Sequence, residues 1–238
     1  RIIIVMKPKY TLIFFVTLFA LTGCSKDEKL EDVTIPSSQQ DQSEEVEDIK
    51  NLPYTYPLTG IKTAEEPTSR PIAITINNHP DARPQSGISK ADIVYEMLVE
   101  GDATRFLAIF QSNLPEKIGP VRSARDYFIQ LAKGFDSLYI AHGYSPEAHQ
   151  MLNSGVVDHI NGMQYDGIYF NRSANRKAPH NSYITAENIA LATQKLNISL
   201  ENEKNVAYTF YADEDSVKMG SKANKIYMNY FSQNSSYS

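Results

Sequence analysis

In 238 residues there is one cysteine and no tryptophan. A lone cysteine excludes a disulfide within these residues, so the fold has to be held by its apolar core. Histidines are few and never fall in HxxxH or HxH spacing, so no metal centre is expected, and nothing points to a cofactor. The phosphate-cradling patterns GxxxxGK[ST] and GxGxxG are absent, as is the GxSxG of a strained nucleophile turn. Lysine and arginine number 23 against 28 aspartates and glutamates, a net charge of −5, with no basic patch of the size nucleic acid requires.

Long apolar runs are confined to the amino terminus. Met6 is read as the natural start. A basic pair, Lys7 and Lys9, precedes an apolar run from Tyr10 to Leu21, and Leu21-Thr22-Gly23 leads directly to Cys24. This is the layout of a secretory signal, short for a membrane span. An aliphatic residue, two small residues and a cysteine form a lipobox: small residues admit the scissile peptide to the signal peptidase, and the thiol accepts diacylglycerol. The expectation is a chain cut before Cys24 and anchored by acyl chains on the extracytoplasmic face of the cell membrane. Each buried CH₂ contributes about 0.8 kcal/mol to such an anchor.

Residues 24–56 are acidic and polar, with almost no large apolar side chains before Tyr54. They cannot bury enough surface to offset their ordering entropy and are expected to be a disordered tether. As a flexible coil of about thirty residues, the tether would reach on the order of 30 Å. The organisation predicted is therefore a signal peptide over 1–23, the tether over 24–56, an α/β domain over 57–200, and from 201 to 238 the start of a β-rich second domain that is incomplete.

Within the folded part, apolar and β-branched runs predict strands at 71–77, 92–98, 104–110, 137–142 and 167–170. Gly101-Asp102 between the second and third predicts a hairpin. Helices are predicted from Ser123, from Ser145-Pro146-Glu147 and from Thr185 to about Leu196, each opened by a capping residue. Ser123 with Asp126 resembles a capping box, and Gly134 is the expected stop. Past Glu201 only strands are predicted, at 206–211 and 225–231. Mixed strands and helices give a layered α/β domain or an α+β sandwich.

Arginines mark where chemistry could lie. Six fall between residues 80 and 180: Arg83, Arg105, Arg122, Arg125, Arg172 and Arg176. All but Arg105 are in or beside predicted loops, and the planar guanidinium suits bidentate recognition of carboxylate or phosphate. The stretch Gly119–Arg125 leads into a predicted helix amino terminus, a potential anion cradle. The alternative is internal pairing with Glu96, Glu100, Asp102 and Asp126. His79 and His142 each follow a strand, and His180 lies in a polar loop, so the three could converge at one sheet edge. Glu96 and Glu100, taken to lie at even spacing on one strand face, could act with His79 or His142 as general acid and base in glycan cleavage, although arginine partnership is the simpler role. Capping accounts for Ser123 and Ser145.

The segments INNHPDARPQSG, DIVYEMLVEGDATRFLAIFQS, IGPVRSARDYFIQLAKGFDSLYIAHGYSPEA and YFNR…RKAPHNSY resemble the YerB-type lipoproteins of Firmicutes, from about residue 53 onward. The resemblance implies a two-part architecture of unknown function with a β-rich carboxyl-terminal portion extending beyond this chain. It also implies signature positions at Asn78, His79, Arg83, Gln85, Ser86, Glu96, Glu100, Arg105, Arg122, Ser123, Arg125, His142, Arg172, Arg176, His180 and Asn181. Apart from Ser86, Glu96 and Glu100, these are the candidate ligand-binding residues.

Three functions remain open at this point. The first is a binding module for an anionic cell-envelope component, such as peptidoglycan, teichoic acid or a lipid-linked precursor. The second is a glycan or phosphoester hydrolase, and the third a scaffold for a membrane protein complex, which an exposed aromatic patch would indicate. No particular protein partner is suggested.

Overall fold

A computed structural model describes residues 51–204, 206–211, 220–230 and 233–237. The predicted signal peptide, Cys24 and the tether up to residue 50 lie outside them. No helix among the described residues is long and apolar enough to cross a membrane.

The centre is a five-stranded mixed sheet built on β3 (Ile72–Asn77). On one side β3 pairs antiparallel with β5 (Thr104–Phe110), and β5 with β4 (Ile93–Leu98), which is the predicted hairpin. Its turn places Gly101 and Asp102 at φ of 71° and 55°, the left-handed conformation that tight turns require. On the other side β3 runs parallel to β7 (Leu138–Ala141), and β7 to β8 (His159–Asn161). A helix, α2 (Pro146–Asn153), carries the chain across between β7 and β8.

Strand alternation divides the core in two. Ile72, Ile74, Ile76, Phe106, Ala108, Phe110, Leu138 and Ile140 belong to one cluster with Ile118, Phe170, Ile184, Ile189 and Ala192. Those partners come from a second sheet, ordered β6-β10-β9 (Lys117–Ile118, Ser182–Thr185, Phe170–Arg172), and from α4 (Ala186–Leu196). Ala73, Leu107, Ile109, Tyr139 and Ala141 belong to the other, with Phe128, Ile129 and Ala132 of α1 (Asp126–Gly134) and Ala148 and Leu152 of α2. The central sheet is thus covered on both faces, which is why β3 and β5 read as nearly continuous apolar runs. The mixed α/β layering follows the sequence expectation. A short pair, β1 (Tyr54–Thr55) and β2 (Lys62–Thr63), and a one-turn helix, α3 (Gly162–Tyr165), complete the unit. Separately, β11 (Ile226–Tyr230) and β12 (Gln233–Tyr237) form an antiparallel hairpin.

Four local expectations need correction. Helix α1 starts at Asp126 with Arg125 at its cap, so Ser123 caps nothing; its hydroxyl instead donates to the His142 carbonyl at 3.2 Å. Glu100 lies beyond the end of β4, so it does not share a strand face with Glu96. The strand expected from Gly167 begins only at Phe170, because Gly167 turns the chain and donates to the Phe170 carbonyl. Residues 206–211 form no strand; the Val206 N–H donates to the Lys204 carbonyl at 2.8 Å and the Tyr208 N–H to the Pro57 carbonyl at 2.9 Å.

One irregularity positions the site. The β3–β7 ladder runs only from Ile72 to Ile74. Beyond it the two strands diverge, and residues 120–124 fill the gap. The Arg122 N–H donates to the Thr75 carbonyl (2.9 Å), the His142 N–H to the Arg122 carbonyl (2.9 Å) and the Ala124 N–H to the Gly143 carbonyl (2.9 Å). Diverging carboxyl ends of neighbouring strands are where α/β sheets open crevices for ligands.

Candidate functional site

At this edge the carboxyl ends of β3 and β7 meet the start of β5. The register Asn77↔Arg105 brings Arg105 level with the last residue of β3. A cavity of about 240 Å³ opens there, bordered by Asn77, His79, Glu100, Arg105, Arg122 and His180 among others. Four of the predicted ligand residues (His79, Arg105, Arg122 and His180) converge on it.

Neither arginine at the cavity has an ion pair of its own among the described residues, although the charge of Glu100, which Arg125 forks, is felt at Arg105. Arg105 is only 7% exposed, and among the described residues its side chain makes one hydrogen bond, from Nη1 to the Ser123 carbonyl at 2.6 Å. Burial, reinforced by repulsion from Arg125 and Arg122, pushes its pKa down to about 10. Arg122 donates from Nη1 to the Pro179 carbonyl at 3.3 Å, and its Nε is buried without a hydrogen-bond partner. Burial, then Arg125 and Arg172, lower its pKa as well. Among the described residues, neither arginine has a carboxylate within ion-pair distance. A buried donor left unmade costs about 1–3 kcal/mol.

The two histidines stack with ring centroids 4.7 Å apart. His79 Nδ1 accepts from the Asp81 backbone N–H at 3.2 Å, and His180 Nδ1 lies 2.8 Å from Asn77 Nδ2. Burial, and then the charges of His79 and Arg122, lower the His180 pKa.

Other candidates do different work. Asn78 is buried and donates to Glu96 Oε1 (2.9 Å) and Thr104 Oγ1 (2.8 Å), while its Oδ1 accepts from Arg83 Nε and Gln85 Nε2, both at 3.1 Å. Arg83 also grips the Asn78 backbone carbonyl. Arg176 holds the Asp81 and Pro84 carbonyls, both at 2.8 Å. These contacts fix the loop after β3, and with it His79. Ser86 exchanges backbone hydrogen bonds with Gly119. Arg125 forks onto Glu100, Nε to Oε1 at 2.6 Å and Nη2 to Oε2 at 2.5 Å, and this bonding pulls the Glu100 pKa down to about 2. A carboxyl held so low cannot serve as a general acid near neutrality.

His142 belongs to a separate cluster. Its Nε2 lies 2.9 Å from Arg172 Nη2 and its Nδ1 2.7 Å from Ser182 Oγ. Arginine only donates, so Nε2 accepts and the Nδ1 proton points at Ser182. That tautomer leaves His142 unable to take a proton from the serine. Arg172 also pairs with Asp166 at 2.8 Å and reaches Asn181 Oδ1 at 3.1 Å. Burial, then Arg172, lower the His142 pKa, which keeps the ring neutral.

The sequence reading missed Asn77, Thr104, Asp166 and Ser182. Asn77 had a signal, as an amide closing an apolar strand. The others are single polar residues whose importance comes from distant partners.

The fold and site define a mixed α/β domain with an arginine- and histidine-lined crevice at its strand ends. The family described as "Protein of unknown function (DUF3048) N-terminal domain" matches residues 58–199, and the chain belongs to that family. It is 54% identical over 150 residues to the Bacillus subtilis (strain 168) protein named "Putative lipoprotein YerB", covering 63% of this chain and 45% of that protein. The crystal structure of YerB protein from Bacillus subtilis superposes with a TM-score of 0.65 at 51% identity, over 68% of this chain and 56% of the other. The chain thus spans about half the length of these relatives.

Proposed function

We propose that this chain is a lipoprotein anchored through diacylglycerol on Cys24 to the extracytoplasmic face of the cell membrane, where its domain binds an anionic component of the cell envelope. The observation that carries the reading is the pair Arg105, buried, and Arg122, half-buried with its Nε enclosed, at one cavity and without an ion-paired carboxylate among the described residues. The lipobox supplies the compartment, and the relative's name agrees with it. The hydrolase reading finds little support. Glu100 is committed to Arg125, Glu96 accepts from Asn78 and Thr104, and the His142 tautomer faces away from base chemistry on Ser182.

Retention on purified sacculi, with and without teichoic acid, tests this reading. The wild-type chain is expected to be retained and Arg122→Gln released. Equal retention of the two proteins, or none above an unrelated soluble control, would sink it.

One observation favours the scaffold as a second reading. Tyr54, Tyr208 and Phe210 are 40–48% exposed and border one groove of about 260 Å³ with Tyr56, Pro57 and Pro67. Tyr208→Ser with Phe210→Ser should then abolish co-purification of a membrane protein while leaving sacculus retention intact.

A further inference from the structure

We infer that the group held in the Arg105–Arg122 crevice is a phosphoryl group, gripped by two guanidinium groups and two imidazole N–H donors. The inference rests on the anion-binding reading above and narrows it to one chemical class.

The hydrogen-bond pattern sets the donors. The Asp81 backbone nitrogen can only donate, so His79 Nδ1 is the acceptor and the neutral ring carries its proton on Nε2. For His180 the orientation of the Asn77 amide decides the tautomer. Asn77 Oδ1 accepts from the His79 backbone N–H at 3.0 Å, which fixes the amide with its nitrogen toward His180. Asn77 Nδ2 therefore donates to Nδ1, and the His180 proton also sits on Nε2. Both Nε2 atoms are without another hydrogen-bond partner among the described residues.

The same atoms also suggest a metal. His79, Asp81 and His180 bring ligand atoms within 4.8 Å of one another. Ligation through Nδ1, however, would break the bonds from Asp81 N and Asn77 Nδ2. Ligation through Nε2 would require both rings to turn a protonated nitrogen into a lone pair against those same donors. A cation would in addition stand beside two guanidinium groups that have no ion pair of their own among the described residues. The donor set fits an anion better.

Phosphoryl is favoured over carboxylate by number, direction and charge. A carboxylate presents two coplanar oxygens, and one guanidinium fork satisfies both. Here the donors come from four chain segments: β5, residues 120–124, the loop after β3 and the loop before β10. They are suited to a tetrahedral anion whose oxygens point several ways. Arg105 and Arg122 have no ion pair of their own, Glu100 at the cavity rim being forked by Arg125, and a phosphate monoester carries about −1.5 to −2 at pH 7, more than the single charge of a carboxylate. The cavity, about 240 Å³, is smaller than pockets for whole drug-sized ligands, about 300–1,000 Å³, and suits one charged group of a larger molecule.

Calorimetric titration of the full chain in a phosphate-free buffer of low ionic strength tests the assignment. The probes are inorganic phosphate, glycerol 3-phosphate, acetate and N-acetylmuramate, with Mn²⁺ and Zn²⁺ tested separately. The phosphates are expected to bind, and Arg122→Gln and His180→Phe each to weaken them at least tenfold. Arg105 is buried enough that its replacement could unfold the domain, so these two carry the test, with circular dichroism confirming that they fold. Histidine ¹⁵N shifts should report protonated Nε2 on both rings. Vesicles containing phosphatidic acid and a glycan bearing phosphate monoesters then separate a lipid headgroup from a polymer as the source, and capture of either one supports the assignment.

Tighter binding of acetate and N-acetylmuramate than of the phosphates, still dependent on Arg122, would overturn the phosphoryl class and leave the anion reading standing. No binding of any anion by the folded wild type would overturn both. Metal binding lost in Asp81→Asn would overturn the donor assignment.

Discussion

Arg122 and Arg172 lie near one another at the same edge of the fold, close enough for each charge to be felt by the other's surroundings. Arg172 is surrounded by acceptors: Asp166, Asn181 and His142 take its guanidinium protons. Arg122 has one carbonyl at 3.3 Å and a buried, unmatched Nε. The first cluster is complete within the chain. The second leaves the Arg122 Nε without an acceptor among the described residues. That difference, rather than the number of arginines, separates a structural cluster from a candidate binding site.

The comparison can be broken most severely at Gly162. A Cβ there would stand 2.2 Å from the His142 ring, with no room for it to remain on Ser182 and Arg172. Gly162→Ala should cost about 1–3 kcal/mol in urea denaturation, as overpacking does, while phosphate binding at the other cluster changes little.

Arg122→Met should act in the opposite sense. It removes a buried unmatched donor, so stability should rise by about 1 kcal/mol in the same assay as ligand binding disappears. A loss of stability instead would mean that the guanidinium has internal acceptors and that the two clusters are alike.

Glu100 supplies a smaller test through pH. Its pKa falls from 4.5 to about 2 on folding because Arg125 bonds its charged form. The depressed value means that the contribution is fully present above pH 4.5 and is lost as pH falls from there through about 2. Glu100 is 68% exposed on its side chain, so solvent screening limits the effect to about 0.5–1 kcal/mol. Comparing wild type with Glu100→Gln at pH 7 and pH 3 should show a difference at the higher pH that shrinks at the lower.

The smallest effect is expected at Arg172→Met. Its pair with Asp166 is about 40% exposed on both sides, and such pairs contribute at most about 1 kcal/mol. Thermal melting should shift by only a few degrees, with phosphate affinity within about twofold of wild type.

Much of the fold was legible because it depends on local pattern. The runs that became β3, β4, β5 and β7 are apolar and β-branched, the β4–β5 turn carries Gly101-Asp102, and Ser145 and Thr185 cap α2 and α4 as their types suggest. The short strands β6, β8 and β10 were not legible, since two to four residues carry no period of their own. Ser123 misled because a serine three residues before an acid is a cap only if the backbone turns there, and here residues 120–124 are held extended between β3 and β7.

For the site, composition picked out His79, Arg105, Arg122 and His180 along with many residues that serve only the loops. The arginine, histidine and amide types are written in the chain, as are the lipobox before Cys24 and the polarity of the segment after it. Which arginines find acceptors is not. Arg125 meets Glu100 across 25 positions, and His142 meets Arg172 across 30. Charge balance is a sum over neighbours in space, so only the tertiary structure could decide that Arg172 is satisfied and Arg122 is not.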